Sequence, residues 1–379
     1  MNFPISRYCI PLLILLALAL MTPAAAQQPP TEVLRIGFYG PSESRAARAL
    51  ELAITQIDRE GGFASPSGAR YLFEGMYSTD PADLRDTLAV LALPDQPEAV
   101  AGWEMPVFLL DATAPLSLPG AETDIYRGMS SADHQRAMLA RFLTEQGGVQ
   151  RAYVMGAAAQ PFAADLLAQA LVQVRQRENT VLTGEDFAAV LDFNPQAIVF
   201  SGDLASAQGL LTALGGRGWG GYFVYADARA IEDVPPGVTL LWATSWAPQS
   251  TDALSAAFVA DYGVFTGGVP DARAVAAYDL AWVLRLMVTR GSPTPLDLRL
   301  NLPTTADIRS VQGRFNPAVY PPGEVYQTAH ILNGEARVLA RYDGGVLQDL
   351  SPEVVALATA TPQPSPTPAR PTFTSRALR

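Results

Sequence analysis

The 379-residue chain has one cysteine, two histidines and no lysine, and each scarcity removes a class of chemistry. Cys9 precedes an apolar stretch from Ile10 to Met21, and Ala24-Ala25-Ala26 then supplies the small residues that a signal peptidase accepts. That stretch falls short of the roughly 20 residues a helix needs to span a bilayer, so residues 1–26 are expected to be a cleaved export signal. Cleavage would leave no cysteine, and with it neither disulfides nor thiol chemistry. His134 and His330 are too far apart in sequence to suggest a zinc site. His134 is expected to be exposed in a polar helix start, and His330 to be a satisfied strand residue. All 26 basic residues are arginine, which disfavours a lysine-dependent phosphate loop and Schiff-base chemistry. The net charge of −11 disfavours nucleic acid as a partner, since phosphate binding needs a basic face. No Gly-x-Ser-x-Gly elbow is present, so a hydrolase triad has no nucleophile to start from.

What is present is an alternation of strands and helices. Leu34-Arg-Ile-Gly-Phe-Tyr-Gly-Pro-Ser reads as a strand and a turn, followed by a helix from Arg45 to Arg59 that stops at Gly61-Gly62. Ala46, Leu50, Ala53, Ile54 and Ile57 make one apolar stripe on that helix. Tyr71–Tyr77 reads as a second strand, and Asp80-Pro81 as the start of a second helix through about Ala92. Further on, strands are expected at 152–155, 197–200 and 222–225, with helices at 162–177, 204–214 and 271–289. Such alternation argues for parallel sheets with right-handed crossovers, and the length suits two of them. Asn333-Gly334, between the apolar runs Val325–Leu332 and Ala336–Tyr342, signals a hairpin. From Thr359 the tail is rich in Thr, Pro and Ser and is expected to be disordered or an extended spacer.

Five segments in this order resemble the branched-chain amino acid–binding proteins of ABC importers. They are the opening Ile36-Gly-Phe-Tyr-Gly-Pro41, the helix ending in Asp58-Arg-Glu-Gly-Gly62, Met105-Pro-Val-Phe-Leu-Leu-Asp-Ala-Thr-Ala-Pro115, Ala276-Ala-Tyr-Asp-Leu280 and Val311-Gln-Gly-Arg-Phe-Asn316. The resemblance implies an α/β chain of the type I periplasmic binding fold: two Rossmann-like lobes joined by three crossing strands, with ligand held between them. The first lobe would comprise residues 33–125 and 248–311, the second 126–247 and 312–345, and residues 351–379 the tail. The crossings are expected near 126–129, 242–247 and 311–315.

The resemblance also implies site residues. Thr113 matches a threonine whose hydroxyl and N–H bind the ligand carboxylate, with a helix cap as the alternative. Asp111 stands where a small residue is usual, so it either faces away or marks a different, cationic ligand. Asp227 matches the acid that pairs with the ligand ammonium, unless it is merely a solvated strand-end acid. Asp203 lies on a turn toward the same cleft or caps the helix that follows. Phe162 would replace missing polar residues as an apolar wall. Trp242 and Trp246 flank Ser245 at the second crossing, and Trp246 is taken as a ligand contact in competition with packing. The segment Glu98–Ala101 resembles a strand that precedes a ligand-serine helix, yet only residues 102–106 separate it from Val107. These two segments are therefore expected not to be neighbouring parallel strands, and the first lobe is expected to be shortened by one helix. The function implied is capture of a small polar, amino acid–like ligand for an ABC permease by an exported, monomeric, non-enzymatic protein without a cofactor. A degenerate two-lobe scaffold serving as a sensor or interaction module is the alternative.

Overall fold

The computed structural model describes residues 31–59, 61–93, 103–113, 125–169, 172–250, 252–305, 307–317 and 325–354. The leader, the segment 98–101 and the tail from 355 lie outside the described residues.

Strand β1 (Thr31–Tyr39) is followed by helix α1 (Arg45–Asp58), capped by the Ser44 hydroxyl, which accepts from the Ala47 N–H. Its apolar stripe is buried at Ala46, Leu50, Ala53 and Ile57. Gly61 and Gly62 then take positive φ, where a side chain on Gly62 would meet the Tyr71 carbonyl oxygen at 2.1 Å. Strands β2 (Phe63–Ala64), β3 (Arg70–Ser78), β4 (Ala89–Ala92), β5 (Val107–Leu109) and β6 (Ile125–Arg127) complete a six-stranded sheet in the order β2-β3-β1-β4-β5-β6, with only β2 antiparallel.

One expectation is corrected here. The helix expected from Asp80 to Ala92 is a single 3₁₀ turn, Pro81–Leu84, capped by Asp80, and Ala89–Ala92 is a strand. Leu88-Ala-Val-Leu-Ala92 is buried throughout, as a central parallel strand covered on both faces must be. β5 takes β4 and β6 as its parallel partners, Val90 opposite Val107 and Val107 opposite Ile125. The segment 98–101 and the helix expected to be missing before Val107 fall outside the described residues. The connection from β3 to β4 holds a 3₁₀ turn and no α-helix. On that face of the sheet Val90, Ala92, Val107 and Leu109 pack with Leu84, Trp103 and Met105, a cluster with no α-helical member among the described residues.

The second sheet begins after helix α2 (Ala132–Glu145). It contains β7 (Arg151–Met155), helix α3 (Gln160–Ala168), β8 (Gln173–Arg177), helix α4 (Gly184–Phe193), β9 (Ala197–Phe200), helix α5 (Leu204–Gly215), β10 (Tyr222–Val224) and β11 (Thr239–Thr244). The long helix expected over 162–177 is thus helix α3 followed by an edge strand. Leu166 is buried but Leu167 is half exposed, so the adjacent leucines do not share a buried stripe. Helices α6 (Ala253–Thr266), α7 (Ala272–Thr289) and α8 (Pro295–Asn301) return to the first sheet's side. α7 is buried nearly all round because its Leu280, Ala281 and Leu284 join the sheet core while Ala274 and Val275 pack with α1 and α6. A short ribbon, β12 (Ile308–Arg309) with β13 (Arg314–Phe315), precedes β14 (Thr328–Asn333), β15 (Val338–Asp343) and β16 (Val346–Leu350). The Asn333-Gly334 hairpin forms as expected, and β16 is an added strand that the sequence reading did not include. The second sheet runs β16-β15-β14-β11-β10-β9-β7-β8.

The chain therefore passes between the two sheets after β6, after β11 and after β13. Asp279 of α7 ties these passages together. Its carboxylate accepts the N–H groups of Val311 (2.9 Å) and Gln312 (2.8 Å), and the Gln312 side-chain amide donates to the Gly128 carbonyl. Beside it, the Trp246 indole donates to Ser255, whose hydroxyl donates to the Val311 carbonyl. Among the described residues no helix is long and apolar enough to cross a membrane.

Candidate functional site

Both sheets have the strand order 2-1-3-4-5 in their parallel parts, read as β3-β1-β4-β5-β6 and β8-β7-β9-β10-β11. In such sheets a ligand crevice opens beyond the strand carboxyl ends, where loops diverge. In the second sheet a cavity of about 420 Å³ opens there, lined by Ala158 and Phe162 beyond β7, Ser201 and Gly202 beyond β9, Ala226 and Asp227 beyond β10, and Trp242 of β11. Its body is aromatic and aliphatic, with Phe162, Phe200, Tyr225 and Trp242 in the wall. A second cavity of about 600 Å³ lies between the halves, lined on one side by Arg45, Asp111, Thr113, Asp271 and Arg273, and on the other by Ala226, Arg229, Trp242 and Thr244. Gln135, Ala226, Trp242 and Ala243 line both, so the two form one cleft. A separate hollow of about 320 Å³ beside Asp307, Arg314 and Asp343 shares no residue with it.

The structure brings most of the sequence-selected residues to this cleft, in different states. Phe162 and Asp227 line the aromatic cavity. The Asp227 side chain makes no capping hydrogen bond to the 3₁₀ turn that follows it. Asp203 caps α5, accepting from the Ser206 N–H (2.7 Å) and hydroxyl (2.9 Å), and these bonds hold its carboxyl below the ordinary range. Asp203 lines neither cavity. Burial pushes the Tyr225 phenol up, and the Asp227 and Asp203 charges add to the rise. Trp246 reaches the wall of the larger cavity but is 2% exposed, edge-on to Phe258 and bonded to Ser255. Trp242 is the tryptophan common to both cavities, with the Arg229 guanidinium 6.0 Å from its ring centre.

Asp111 and Thr113 face each other. One carboxylate oxygen of Asp111 accepts the Thr113 N–H (2.7 Å) and hydroxyl (2.5 Å), and the other accepts from Arg273 at 2.7 Å. Burial raises the Asp111 pKa, but these donors outweigh it and leave the carboxyl below its usual value. Arg45, at the first turn of α1, lies 3.7 Å from Asp271, the cap of α7. Sequence reasoning weighed Trp242 beside Trp246 as a stacking contact against packing, and did not select Tyr225, Arg229 or Arg273. Their positions just after strand β10 and at the start of α7 were the signal available. Among the described residues no group of His, Asp and Glu is arranged to hold a metal ion.

The sequence matches no protein-family model and no curated protein. The structure does resemble solved ones. It is similar to a putative branched-chain amino acid ABC transporter protein from Rhodospirillum rubrum, with 20% identity and a TM-score of 0.63 over 82% of this chain and 100% of that one. The fold is that of the type I periplasmic binding proteins. Two further neighbours carry ligands. One is the branched-chain amino acid substrate-binding protein LivJ from Streptococcus pneumoniae in complex with isoleucine (16% identity, TM-score 0.56, 84% and 100% of the chains). The other is an ABC-transporter solute-binding protein from Rhodopseudomonas palustris in complex with 3,4-dihydroxybenzoic acid (13%, 0.56, 84% and 98%).

Proposed function

We propose that this chain is an exported, non-enzymatic solute-binding protein that takes a small polar ligand of amino acid–like size into the cleft between two lobes and delivers it to an ABC permease. The lobes would be residues 33–125 with 248–311 and residues 126–247 with 312–345. The observation that carries this reading is the continuous cleft at the carboxyl ends of both sheets, with an aromatic cavity on one side and charged groups on the other. Asp227 would anchor an amine, Phe162 and Trp242 would enclose the apolar body, and hinge motion at the three passages would close the lobes. Ligands of comparable size in the similar structures support it. Calorimetric titration with amino acids, amides, amines and aromatic acids tests the proposal. One class should bind, and Asp227→Ala should weaken it by about 10- to 100-fold, the loss of one charge-assisted hydrogen bond. Binding unaffected by Asp227→Ala would place the ligand elsewhere.

A second reading, a scaffold acting as a sensor or interaction module, is favoured by one observation. The Thr113 donors on the first-lobe side are already occupied by Asp111. A panel with no binding at all would support that reading.

A further inference from the structure

The occupied donors carry a consequence for specificity, one that rests on the capture reading above. The Thr113 N–H, the Thr113 hydroxyl and the Arg273 guanidinium form a group of three donors in the wall of the larger cavity. Three converging donors, one of them cationic, are what a carboxylate needs. Asp111 supplies that carboxylate from within the chain, two residues from Thr113, and its side chain is only 13% exposed.

A ligand carboxylate arriving here meets two obstacles. It must displace an acceptor that is covalently held in place and so competes at a very high effective concentration. If it does not displace Asp111, it sits beside a like charge in a partly enclosed cavity, where repulsion is poorly screened. An uncharged or cationic group meets neither. An amide offers N–H donors to the free lone pairs of Asp111, and an ammonium is attracted to it. The acid is held ionised by its own partners, so the exclusion persists through the neutral pH range.

We infer that Asp111 is a specificity-determining residue: it fills the first lobe's carboxylate subsite from within, so the cleft selects small amines and amides with an apolar body over the corresponding free carboxylates. Asp227, across the cleft in the second half, adds to the same preference.

Matched probe pairs test this: L-leucinamide against L-leucine and benzamide against benzoate, each titrated by calorimetry into the wild-type protein, Asp111→Ser and Asp111→Asn. The wild type should prefer the amide of at least one pair by tenfold or more. Asp111→Ser, which frees all three donors, should reverse that order. Asp111→Asn keeps the size and removes the charge, and it should at least abolish the preference should the serine variant fold poorly. A wild type that binds the carboxylate as tightly as the amide, or variants that keep the amide preference, would overturn the inference while leaving ligand capture intact. Silence from both pairs in all three proteins would count against ligand capture itself, and the inference would fall with it.

Discussion

Asp279 and His330 are buried where the chain passes between the sheets, and they titrate in opposite senses. Burial raises the Asp279 carboxyl to about 6 against the donors from Val311 and Gln312, so between its ordinary 3.8 and 6 the folded chain holds a proton that the unfolded chain has lost. Stability from this group falls as pH rises through that window. Burial lowers His330 to about 4, although the Ser245 carbonyl, 3.2 Å from its Nδ1, favours the protonated ring. Between 4 and 6.5 the unfolded chain is the one that holds the extra proton, so stability from this group rises with pH. The two contributions oppose each other over the same range. Relative to wild type, Asp279→Asn should therefore gain stability as pH rises from about 4 to 6, and His330→Gln should lose it, each by up to about 1.4 kcal/mol per pH unit. Urea midpoints measured across this range check both signs, and parallel curves for wild type and variants would refute the pairing. The family resemblance marked Asp111, Thr113 and Asp227 for attention. They could not show that Arg273, far along the chain, would supply the third donor to Asp111, because such a pairing is made by the packing of α7 beside β5.

Among the elements, the turn after β7 shapes the aromatic cavity. Gly156 has φ +94°, and a Cβ added there would lie 2.0 Å from the Ser201 carbonyl oxygen at the end of β9. The glycine thus lets the two strand ends approach where Ala158 and Ser201 line the cavity. Gly156→Ala should cost about 2–4 kcal/mol in chemical denaturation and weaken any ligand bound there. Gly218→Ala, also at positive φ but with open space around it, should cost less. Equal costs would show that backbone conformation, not the approach of Ser201, sets the penalty. The helices α1, α5 and α7, the strands β1, β3, β7, β9 and β10 and the Asn333-Gly334 hairpin could be read from apolar periodicity and turn residues, since local and tertiary preferences agree there. The stretch 80–92 could not, because five consecutive buried apolar residues fit a helix or a two-faced strand equally well. The edge strand β8 was hidden for the opposite reason: Gln173, Arg175 and Gln176 are exposed, so its sequence carries little apolar signal.

For the molecule as a whole, the account requires two halves that grip a ligand and move together around it. The order of the segments along the sequence pointed to this architecture, while the helix-free connection between β3 and β4 emerged only from the structure. A ligand at 100 times its dissociation constant should stabilise the folded chain by about 2.7 kcal/mol, and thermal melts give a quick survey of candidates. Closure itself is best measured by small-angle X-ray scattering of the chain with and without the tightest ligand found by calorimetry. A smaller radius of gyration is expected at saturation, and a smaller decrease in Asp227→Ala at the same ligand concentration, in proportion to its lower occupancy. Full occupancy by calorimetry with an unchanged radius of gyration would contradict it.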